Sequence, residues 1–429
     1  MTSPLLRRVS PSRLPARAKP GLDAQTVHAA KVVVEAVRKQ GESALLRYAK
    51  SFGDLTPGQT WLYGSESLQN AWRNLEPQAK QALQRTADRI RDFAEAQKQA
   101  LRHTLVQIPG GLAGDAWIPV DRAGAYAPGG RHPLPSSVLM TVIPAAVAGV
   151  SQVVVASPRP GQVTLAAAAV AGAHQLLAVG GAQAIAALGL GVESLGACEI
   201  VVGPGNRWVT AAKKLLAGEI AIDGLAGPSE LVVVADEKSN PDLVAADLLA
   251  QAEHDPDALP ILICLDEASW QGVESALQTQ LGSLPNDDDN SPGAVAAQAL
   301  QNGYVVVVDS PVAAVKVCNA LAPEHLQLSV AEPEAWIPHL RHAGALFLGE
   351  QAGEVCGDYG FGPNHVLPTG GTARFQGGLH PGVFLRRRTW MRVDDPDAAD
   401  QAFADAALLA RLEGLEAHAR AADLRRRRI

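Results

Sequence analysis

The chain has 429 residues, a formal net charge of -7 at pH 7 and 47% hydrophobic residues. A chain of this length can bury most of its apolar surface and is expected to form roughly two to four domains, which excludes a small binding module. The acidic balance gives no electrostatic reason to bind nucleic acid, and the arginines at 425–428 are more typical of a solvated helix end than of a binding patch.

The first segment is basic, since residues 1–19 contain no acidic residue, and it has no apolar stretch of the secretory type. A transit peptide is the alternative, but an amino-terminal arm over residues 1–23 is the preferred interpretation. Residues 24–102 follow with helical periodicity and many Gln, Arg and Ala residues. This region is predicted to be mostly helical and to pack on the second of two sheets.

The central third alternates short apolar runs with Gly or Pro and then Ala-rich helical stretches. The runs span 122–126, 153–156, 176–179 and 200–202. Apolar runs that alternate with helices predict a parallel sheet buried on both faces, hence a Rossmann-like unit. Residues 138–156 are the most membrane-like stretch, but Pro144, Ser151 and Gln152 interrupt it, so a buried helix followed by a buried strand is predicted and no membrane partner is expected.

A second series of apolar runs follows, at 231–235, 261–265, 304–308, 326–330 and 345–348. Asn240-Pro241 begins one connecting helix, with Asn as the N-cap and Pro at the first helical position. From residue 373 the chain is Arg-rich, and residues 398–425 are predicted to be helical. The predicted fold is therefore α/β, with two Rossmann-like parallel-sheet domains, a short amino-terminal arm and a helical carboxyl-terminal tail.

The predicted domain boundaries follow from these segments. The arm covers residues 1–23 and the tail covers residues 373–429. A discontinuous first α/β domain combines 24–120 with 231–372 and carries the candidate metal and base residues, whereas the second α/β domain, 121–230, carries the candidate nucleotide-binding loops. Cys198, Cys264, Cys318 and Cys356 include no Cys-x-x-Cys pair, which predicts reduced thiols in a cytoplasmic protein.

Three glycine-containing loops follow strands of the second domain: Tyr-Ala-Pro-Gly-Gly at 126–130, Gly-Gly-Ala-Gln at 180–183 and Gly-Pro-Gly-Asn at 203–206. Ligands of open parallel sheets bind beyond the carboxyl ends of the strands, where glycine permits close backbone approach. None of the loops is the GxGxxG fingerprint, but three in one sheet indicate a ligand cleft. Tyr126, Gln183 and Asn206 are the candidates to stack on a planar ring or to bind a ribose.

Several histidines lie beside carboxylates or carboxamides and form a candidate metal set. Gln251 and His254 are three residues apart on the helix that begins at Pro241, and Glu253 is the more usual kind of ligand from chemistry alone. Asp358, in a Gly-rich segment, is either a ligand or the start of an Asx-type turn. His418 is either a ligand or a solvated helix residue. The absence of HExxH argues against one common class of zinc hydrolase.

Glu324 and His325 are adjacent ionisable residues after Pro323. Imidazole titrates close to neutral pH, so the pair is a candidate for general acid–base catalysis. The start of a capped surface helix would look similar, and the pair alone does not decide between these interpretations.

Longer motifs identify a family. The segments Ile-Asp-Gly-Leu-Ala-Gly-Pro-Ser-Glu at 222–230 and Asp-Leu-Leu-Ala-Gln-Ala-Glu-His at 247–254 resemble the signature of histidinol dehydrogenase. Gly-Gly-Ala-Gln, Gly-Pro-Gly-Asn, Ala-Pro-Glu-His-Leu, Gly-Asp-Tyr and Gly-Pro-Asn-His-Val-Leu-Pro-Thr match it too, and the resemblance runs from about residue 24 to the end. The segment at 378–384 and Gly224-Leu225 depart from the usual family pattern, but neither includes a candidate catalytic residue.

The resemblance implies a zinc-dependent, NAD-linked enzyme that oxidises L-histidinol through L-histidinal to L-histidine, with one zinc ion per active site. It assigns zinc binding to Gln251, His254, Asp358 and His418. Catalysis falls to His325 as the base and Glu324 as the group that activates water, and NAD binding to Tyr126, Gln183 and Asn206. Substrate contacts would come from Ser229, His365 and Glu413, together with His325 and the four zinc ligands.

The resemblance also implies a homodimer in which the carboxyl-terminal tail of one subunit completes the active site of the other. A sister zinc and NAD dehydrogenase that acts on another amino alcohol or diol is the alternative, and Ser229, His365 and Glu413 favour histidinol. A catalytically silent paralog is disfavoured because the whole set of ligands and bases is present.

Overall fold

The structure is a computed structural model that describes residues 4–15, 22–56, 58–129 and 133–426. Gly130 of the first glycine loop, residues 1–3 and 16–21 of the predicted arm, and residues 427–429 lie outside this description. The strands are β1 (Arg7–Arg8), β2 (Leu62–Gly64), β3 (Leu105–Ile108), β4 (Gly111–Pro119), β5 (Arg122–Tyr126), β6 (Gln152–Ala156), β7 (Gln175–Leu177), β8 (Ile200–Val202), β9 (Ala221–Ile222), β10 (Glu230–Ala235), β11 (Leu259–Cys264), β12 (Tyr304–Val307), β13 (His325–Ser329), β14 (Ala345–Leu348) and β15 (Leu385–Val393).

The α-helices are α1 (Ala24–Ser51), α2 (Ser65–Arg73), α3 (Pro77–Gln99), α4 (Pro135–Ala148), α5 (Gln162–Ala171), α6 (Gly181–Leu190), α7 (Arg207–Leu216), α8 (Pro241–Ala252), α9 (Glu267–Leu281), α10 (Pro292–Asn302), α11 (Pro311–Leu321), α12 (Glu354–Asp358), α13 (Asp400–Leu412) and α14 (Glu416–Asp423). The predicted α/β class, with parallel-sheet domains and a helical carboxyl-terminal portion, is confirmed. Within the described parts of the chain, every helix is too short or too polar to span a bilayer.

The first sheet has the strand order β2-β7-β6-β5-β8-β9 and is parallel except for β2, which runs antiparallel to β7. Helices α1, α6 and α7 pack together, and α2, α3, α4 and α5 form a second packed group. As predicted for residues 138–156, the buried helix α4 leads into the buried strand β6. The central strands β5, β6 and β8 are buried and apolar apart from Arg122 and Gln152 at the strand starts, because helices cover both faces of a parallel sheet.

The expectation that residues 24–102 pack on the second sheet is wrong. Helices α1 to α3 belong to the first sheet: Val34 and Leu45 of α1 share a core with the strands of that sheet, and β2 extends the sheet itself. Periodicity shows that a helix has an apolar face but does not show which surface the face covers. The domain boundaries stay a prediction, and this packing leads us to propose that residues 24–222 form one unit and residues 223–372 the core of the other.

The second sheet has the order β1-β12-β11-β10-β13-β14 and is parallel throughout. Helices α8, α9 and α10 cover one face, and α11 with a 3-10 segment, Pro333–His339, lies on the other. The amino-terminal arm contributes the edge strand β1, and the adjacent Leu6 is fully buried in the core. Part of the predicted arm is therefore a component of the second domain.

A small antiparallel sheet, β15-β4-β3, was not predicted from the sequence. Strand β15 lies in the Arg-rich segment that was assigned to the tail, and its side chains are mostly exposed, so the strand lacks an apolar period. It pairs with β4 along nine residues, and Arg387 lies 3.3 Å from Asp115 across the pair. Beyond it, α13 and α14 pack on each other with a break at Gly414, which has a positive φ of 77°.

Candidate active site

The candidate site is a cavity of about 1270 Å³ between the two parallel sheets. On the first sheet its walls are loops that follow the strands, the position at which open parallel sheets bind ligands. On the second sheet its walls include Ser229, Asp257 and Glu324, which precede β10, β11 and β13. The cavity is lined by most of the predicted site residues: Tyr126, Gln183, Asn206, Ser229, His254, Glu324, His325, Asp358 and His365. Three others, Gln251, Glu413 and His418, are not among its lining residues. Residues from both domains thus converge on one space, as the separated motifs require.

His325 begins β13 and is almost completely buried. Its Nδ1 lies 3.1 Å from the carbonyl oxygen of Glu230 on the neighbouring strand β10. A carbonyl only accepts, so Nδ1 carries the proton and donates, which leaves Nε2 as the basic nitrogen of the neutral ring. Nε2 has no hydrogen-bond partner among the described residues, and burial lowers the pKa of His325 to about 4. The imidazole is therefore neutral near pH 7 and able to accept a proton.

Glu324 immediately precedes His325 and has its carboxyl group in the same buried space. Its Oε2 accepts a hydrogen bond from the backbone N–H of Glu230 at 3.0 Å, and it lies 3.7 Å from Nδ1 of His325. Burial raises the pKa of Glu324 well above its usual range. A carboxylate with a raised pKa is a stronger base, which suits proton removal from water. The pair starts a strand, so the alternative of a capped helix start is wrong.

A group of potential metal ligands lies beside His325. His254 Nε2 is 3.2 Å from Asp358 Oδ2, and ligand atoms of His254, Asp358 and Glu354 all lie within 4.8 Å of one another. Burial opposes ionisation of Asp358, but its hydrogen bond with His254 and the nearby imidazoles lower its pKa, while burial raises the pKa of Glu354. Imidazole and carboxylate donors in this arrangement fit a divalent cation such as Zn²⁺.

The environment of Gln251 tests whether these residues fit a divalent cation. It lies on α8, is fully buried, and neither its Oε1 nor its Nε2 has a hydrogen-bond partner in the described part of the chain. A buried amide without partners costs free energy, so such atoms indicate a missing ligand. His254 lies just beyond the end of α8, where its backbone N–H still contacts the carbonyl of Gln251. The amide of Gln251 is therefore a buried, unpartnered polar group three residues from the His254 donor.

Glu354 was not predicted as a site residue. It is the first residue of α12, is buried, and has no hydrogen-bond partner for either carboxylate oxygen among the described residues. Its Oε1 lies 3.4 Å from Nδ1 of His325. The available signal was its spacing, because a residue four positions before Asp358 shares a face with it if the segment is helical. The sequence instead indicated a glycine-rich loop there, so this spacing was not informative.

His365 and Ser229 also line the cavity. His365 Nδ1 is 3.0 Å from the backbone carbonyl of Asp358, and burial lowers the pKa of the ring. The same tautomer argument applies as for His325, so Nε2 is the accepting nitrogen.

Glu413 and His418 remain away from this cavity within one chain. Glu413 follows α13, and His418 is an exposed residue of α14. The two helices also expose apolar side chains, including Leu408, Leu412 and Leu415. The fold of one chain therefore brings six of the nine predicted catalytic, metal and substrate residues to the cavity, places Gln251 on the adjoining helix α8, and leaves these two apart.

The predicted cofactor residues occupy the ends of the first sheet. Tyr126 ends β5, and its hydroxyl accepts a hydrogen bond from the N–H of Gly181 at 3.1 Å. Asn206 caps α7 by accepting from the N–H groups of Trp208 and Val209. Burial raises the pKa of Tyr126 to about 12, so its hydroxyl keeps its proton and can donate to a ligand.

Gly203 shows why this loop needs glycine. Its φ is +116°, and a Cβ atom there would lie 2.0 Å from the carbonyl oxygen of Tyr126. A side chain would push the loop away from β5 and move Asn206 with it.

Comparison with known proteins supports the family resemblance. The family model described as Histidinol dehydrogenase matches residues 17–426. Histidinol dehydrogenase of Thermus thermophilus is 44% identical over 401 residues, which are 92% of this chain and 93% of that protein. The Pseudomonas syringae pv. tomato enzyme of the same name is 41% identical, covering 92% of this chain and 88% of the relative. A crystal structure of histidinol dehydrogenase from Elizabethkingia anophelis superimposes with a TM-score of 0.90 at 31% identity, covering 99% of both chains.

Proposed function

Because this chain belongs to the histidinol dehydrogenase family and is an oxidoreductase of histidine biosynthesis, we propose that it converts L-histidinol through L-histidinal to L-histidine, with reduction of two NAD molecules. The observation that carries the proposal is the unpartnered Nε2 of His325, buried in one cavity with Glu324, the candidate metal donors and the cofactor loops.

We assign zinc binding to Gln251, His254 and Asp358, with His418 contributed by a second copy of the chain. The orphaned amide of Gln251 and the contact between His254 and Asp358 support this assignment. A bound zinc ion would hold the imidazole and amino nitrogens of the substrate, so that the aldehyde stays in place between the two oxidations. Glu354 is a further donor within reach of this group.

We assign NAD binding to Tyr126, Gln183 and Asn206, whose loops line the same cavity as His254 and Asp358. Bound NAD accepts the hydride in each oxidation, and the protein must orient the reacting carbon and manage the protons. The position of these loops at the carboxyl ends of parallel strands supports the assignment.

The acid–base steps fall to two adjacent residues. His325 takes the proton of the alcohol through Nε2 as hydride leaves the carbinol carbon, because Nδ1 is held by the carbonyl of Glu230. Glu324 takes a proton from water as the water adds to the aldehyde, and its raised pKa makes it a suitable base. His325 then serves again as base for the hydrated aldehyde. This order requires that the aldehyde remain bound throughout.

Substrate recognition would use Ser229 and His365 from the same chain and Glu413 from a second copy, together with His325 and the zinc ligands. The exposed positions of Glu413 and His418, and the apolar residues around them, support a homodimer whose tails complete each other's sites. The four free cysteines support a location in the cytoplasm, where thiols stay reduced.

The test is an assay of purified protein with L-histidinol and NAD, in which NADH and histidine are both quantified with and without a chelator. We expect two NADH per histidine and loss of activity on metal removal, with recovery when zinc is returned. Oxidation that stops at the aldehyde, or indifference to the chelator, would contradict the proposal. Turnover of other amino alcohols or diols in preference to histidinol would favour a sister dehydrogenase instead.

A further inference from the structure

Asp54 is a buried carboxylate on the cofactor side of the cavity that the proposed chemistry does not use. It lies in the turn after α1, where its backbone N–H donates to the carbonyl of Ala49 at 2.8 Å, and it is 9% exposed. It lines the same cavity as Tyr126 and Gln183. A buried carboxylate in a ligand cleft requires a reason, because its desolvation is unfavourable.

The hydrogen bonds of Asp54 fix the orientation of Gln183. Asp54 Oδ2 accepts from the backbone N–H of Gly180 at 3.0 Å and from Nε2 of Gln183 at 3.1 Å. A carboxylate cannot donate, so the amide nitrogen of Gln183 must face Asp54. Gln183 is only 2% exposed and has little room to turn. The group that remains for a ligand is the carbonyl oxygen Oε1, which accepts hydrogen bonds only.

Two backbone N–H groups at the start of α6 already have hydrogen-bond partners within the protein. The N–H of Gly180 is bound to Asp54 and the N–H of Gly181 to the hydroxyl of Tyr126. Free amides at a helix amino terminus commonly bind phosphate, but here two of them are taken, and a carboxylate lies beside them. This corner of the cleft is therefore unfavourable for phosphate and suited to a neutral part of the cofactor.

We infer that Asp54 is a positioning residue, which holds Gln183 so that its carbonyl oxygen accepts a hydrogen bond from a neutral donor of the dinucleotide. The donor is a ribose hydroxyl or the carboxamide NH₂ of the nicotinamide. The inference rests on the proposed NAD-linked function and adds to it the orientation of Gln183 and the kind of cofactor group that Gln183 contacts.

A side-chain exchange tests the inference. Gln183→Glu places a second carboxylate against Asp54 and should weaken NAD binding by about tenfold or more, since a buried hydrogen bond becomes a repulsion. Combining it with Asp54→Asn removes the repulsion between the two carboxylates, so most of the lost affinity for NAD should return. Direct titration of NAD measures both dissociation constants, and the thermal midpoint of each variant reports how much stability the repulsion costs.

The matched control is Gln162→Glu, which adds the same charge at the first residue of α5, where the Gln162 amide donates to the exposed carbonyl of Asn74 outside the cavity. It should leave NAD binding unchanged. Failure of the double variant to recover NAD binding would overturn the inference, as would an unchanged dissociation constant in Gln183→Glu. If Asp54→Asn alone does not fold, the double variant still decides.

A cofactor analogue distinguishes the two donors. In the 3-acetylpyridine analogue of NAD the carboxamide NH₂ is replaced by a methyl group. If Gln183 contacts the carboxamide, Gln183→Glu should weaken the analogue far less than it weakens NAD. If it contacts a ribose hydroxyl, both cofactors should weaken equally. Wild-type NADH formation from histidinol is recorded in parallel, because its absence would refute the proposed function, whereas a failed exchange with active wild type refutes only the role of Asp54.

Discussion

At the residue scale, the environment of His325 decides which of its nitrogens can act. The carbonyl of Glu230 holds Nδ1–H, burial lowers the pKa of the ring, and Nε2 is left without a partner in the described structure. The adjacent Glu324 has the opposite response to the same burial, because desolvation favours the neutral form of either group. Burial of these two adjacent residues thus yields a neutral imidazole beside a carboxyl group with a raised pKa.

The roles of His325 and Glu324 should be distinguishable by the number of NADH molecules formed per histidinol consumed. His325→Asn should lower kcat for histidinol by about a hundredfold to ten-thousandfold, because it removes the base of both oxidations. Glu324→Gln should retain the first oxidation and lose the second, so that NADH per histidinol consumed falls from two towards one. Rapid-quench product analysis with histidinol and with the aldehyde measures the difference, and each variant is the control for the other. Equal loss of both steps in Glu324→Gln would contradict the assignment.

The lowered pKa of His325 also affects stability. The unfolded chain, with an ordinary histidine pKa of about 6.5, binds the proton more tightly than the folded chain, with a pKa of about 4. The lowered pKa therefore costs no stability above about pH 6.5. As the pH falls from there towards 4, the free energy of unfolding decreases by on the order of 3 kcal/mol. Urea unfolding of the metal-free protein should show that His325→Asn loses less stability over this window than wild type. Identical pH dependence would exclude a buried neutral imidazole.

At the element scale, α8 carries the proposed zinc ligand Gln251 near its end and His254 follows two residues beyond it, and the start of the helix is fixed by local chemistry. Asn240 caps the helix by accepting from the N–H of Asp242, and Pro241 occupies the first helical position. The cap stabilises the helix whose other end carries Gln251 and leads to His254. The sequence alone predicted this start because a cap depends on neighbours within one turn.

Removing this cap should cost stability. Asn240→Ala is expected to lower the free energy of unfolding by about 1 kcal/mol, because an N–H group of the first turn loses its acceptor. Chemical denaturation provides the measurement. Ser291→Ala is the matched control, since Ser291 precedes Pro292 at the start of α10 but makes no side-chain cap hydrogen bond. Equal losses in the two variants would contradict the capping role of Asn240.

The small antiparallel sheet shows the limit of local patterns at this scale. Strand β15 contains Arg386, Arg387 and Arg388 in succession, and eight of its nine residues are exposed. Such a strand has no apolar alternation to mark it, and its existence depends on β4, which lies more than 250 residues earlier in the chain. The tail therefore begins as an edge strand of this sheet before it reaches α13.

At the scale of the whole molecule, the cavity lies between loops at the carboxyl ends of strands of the first sheet and residues at the amino ends of β10, β11 and β13 of the second sheet. Cofactor loops come from the first sheet, and the base and metal donors come from the second and from α8 and α12. The tail helices do not line this cavity within one chain, so the proposed site would need a second copy to supply Glu413 and His418.

Mixing variants should reveal the shared site. If Glu324 and His418 of one site come from different chains, Glu324→Gln mixed and refolded with His418→Ala should regain about a quarter of wild-type activity, because half of the dimers are mixed and each has one intact site. Histidine formation after mixing is the measurement, because Glu324→Gln by itself should still form NADH in the first oxidation. Glu324→Gln mixed with His325→Asn is the control and should stay inactive. One chain supplies both residues to a site, so every site of a mixed dimer keeps one of the two changes. Absence of recovery in the first mixture would contradict exchange of the tail.

The sequence alone determined the features that depend on short stretches of chain. The strands at 122–126 and 345–348 and the cap at Asn240 follow from apolar runs and first-turn hydrogen bonds. The motifs around Glu324 and His254 indicated the family without any knowledge of their distance in space, and the comparisons confirmed that family.

Only the tertiary structure decided the contacts between distant segments. It packed α1 to α3 on the first sheet, created the sheet with β15, and brought Glu354 to within 3.4 Å of His325. It also left Glu413 and His418 outside the cavity of their own chain. An apolar face or a carboxylate is visible in sequence, but its partner is chosen by the packing of the whole chain, which no local pattern specifies.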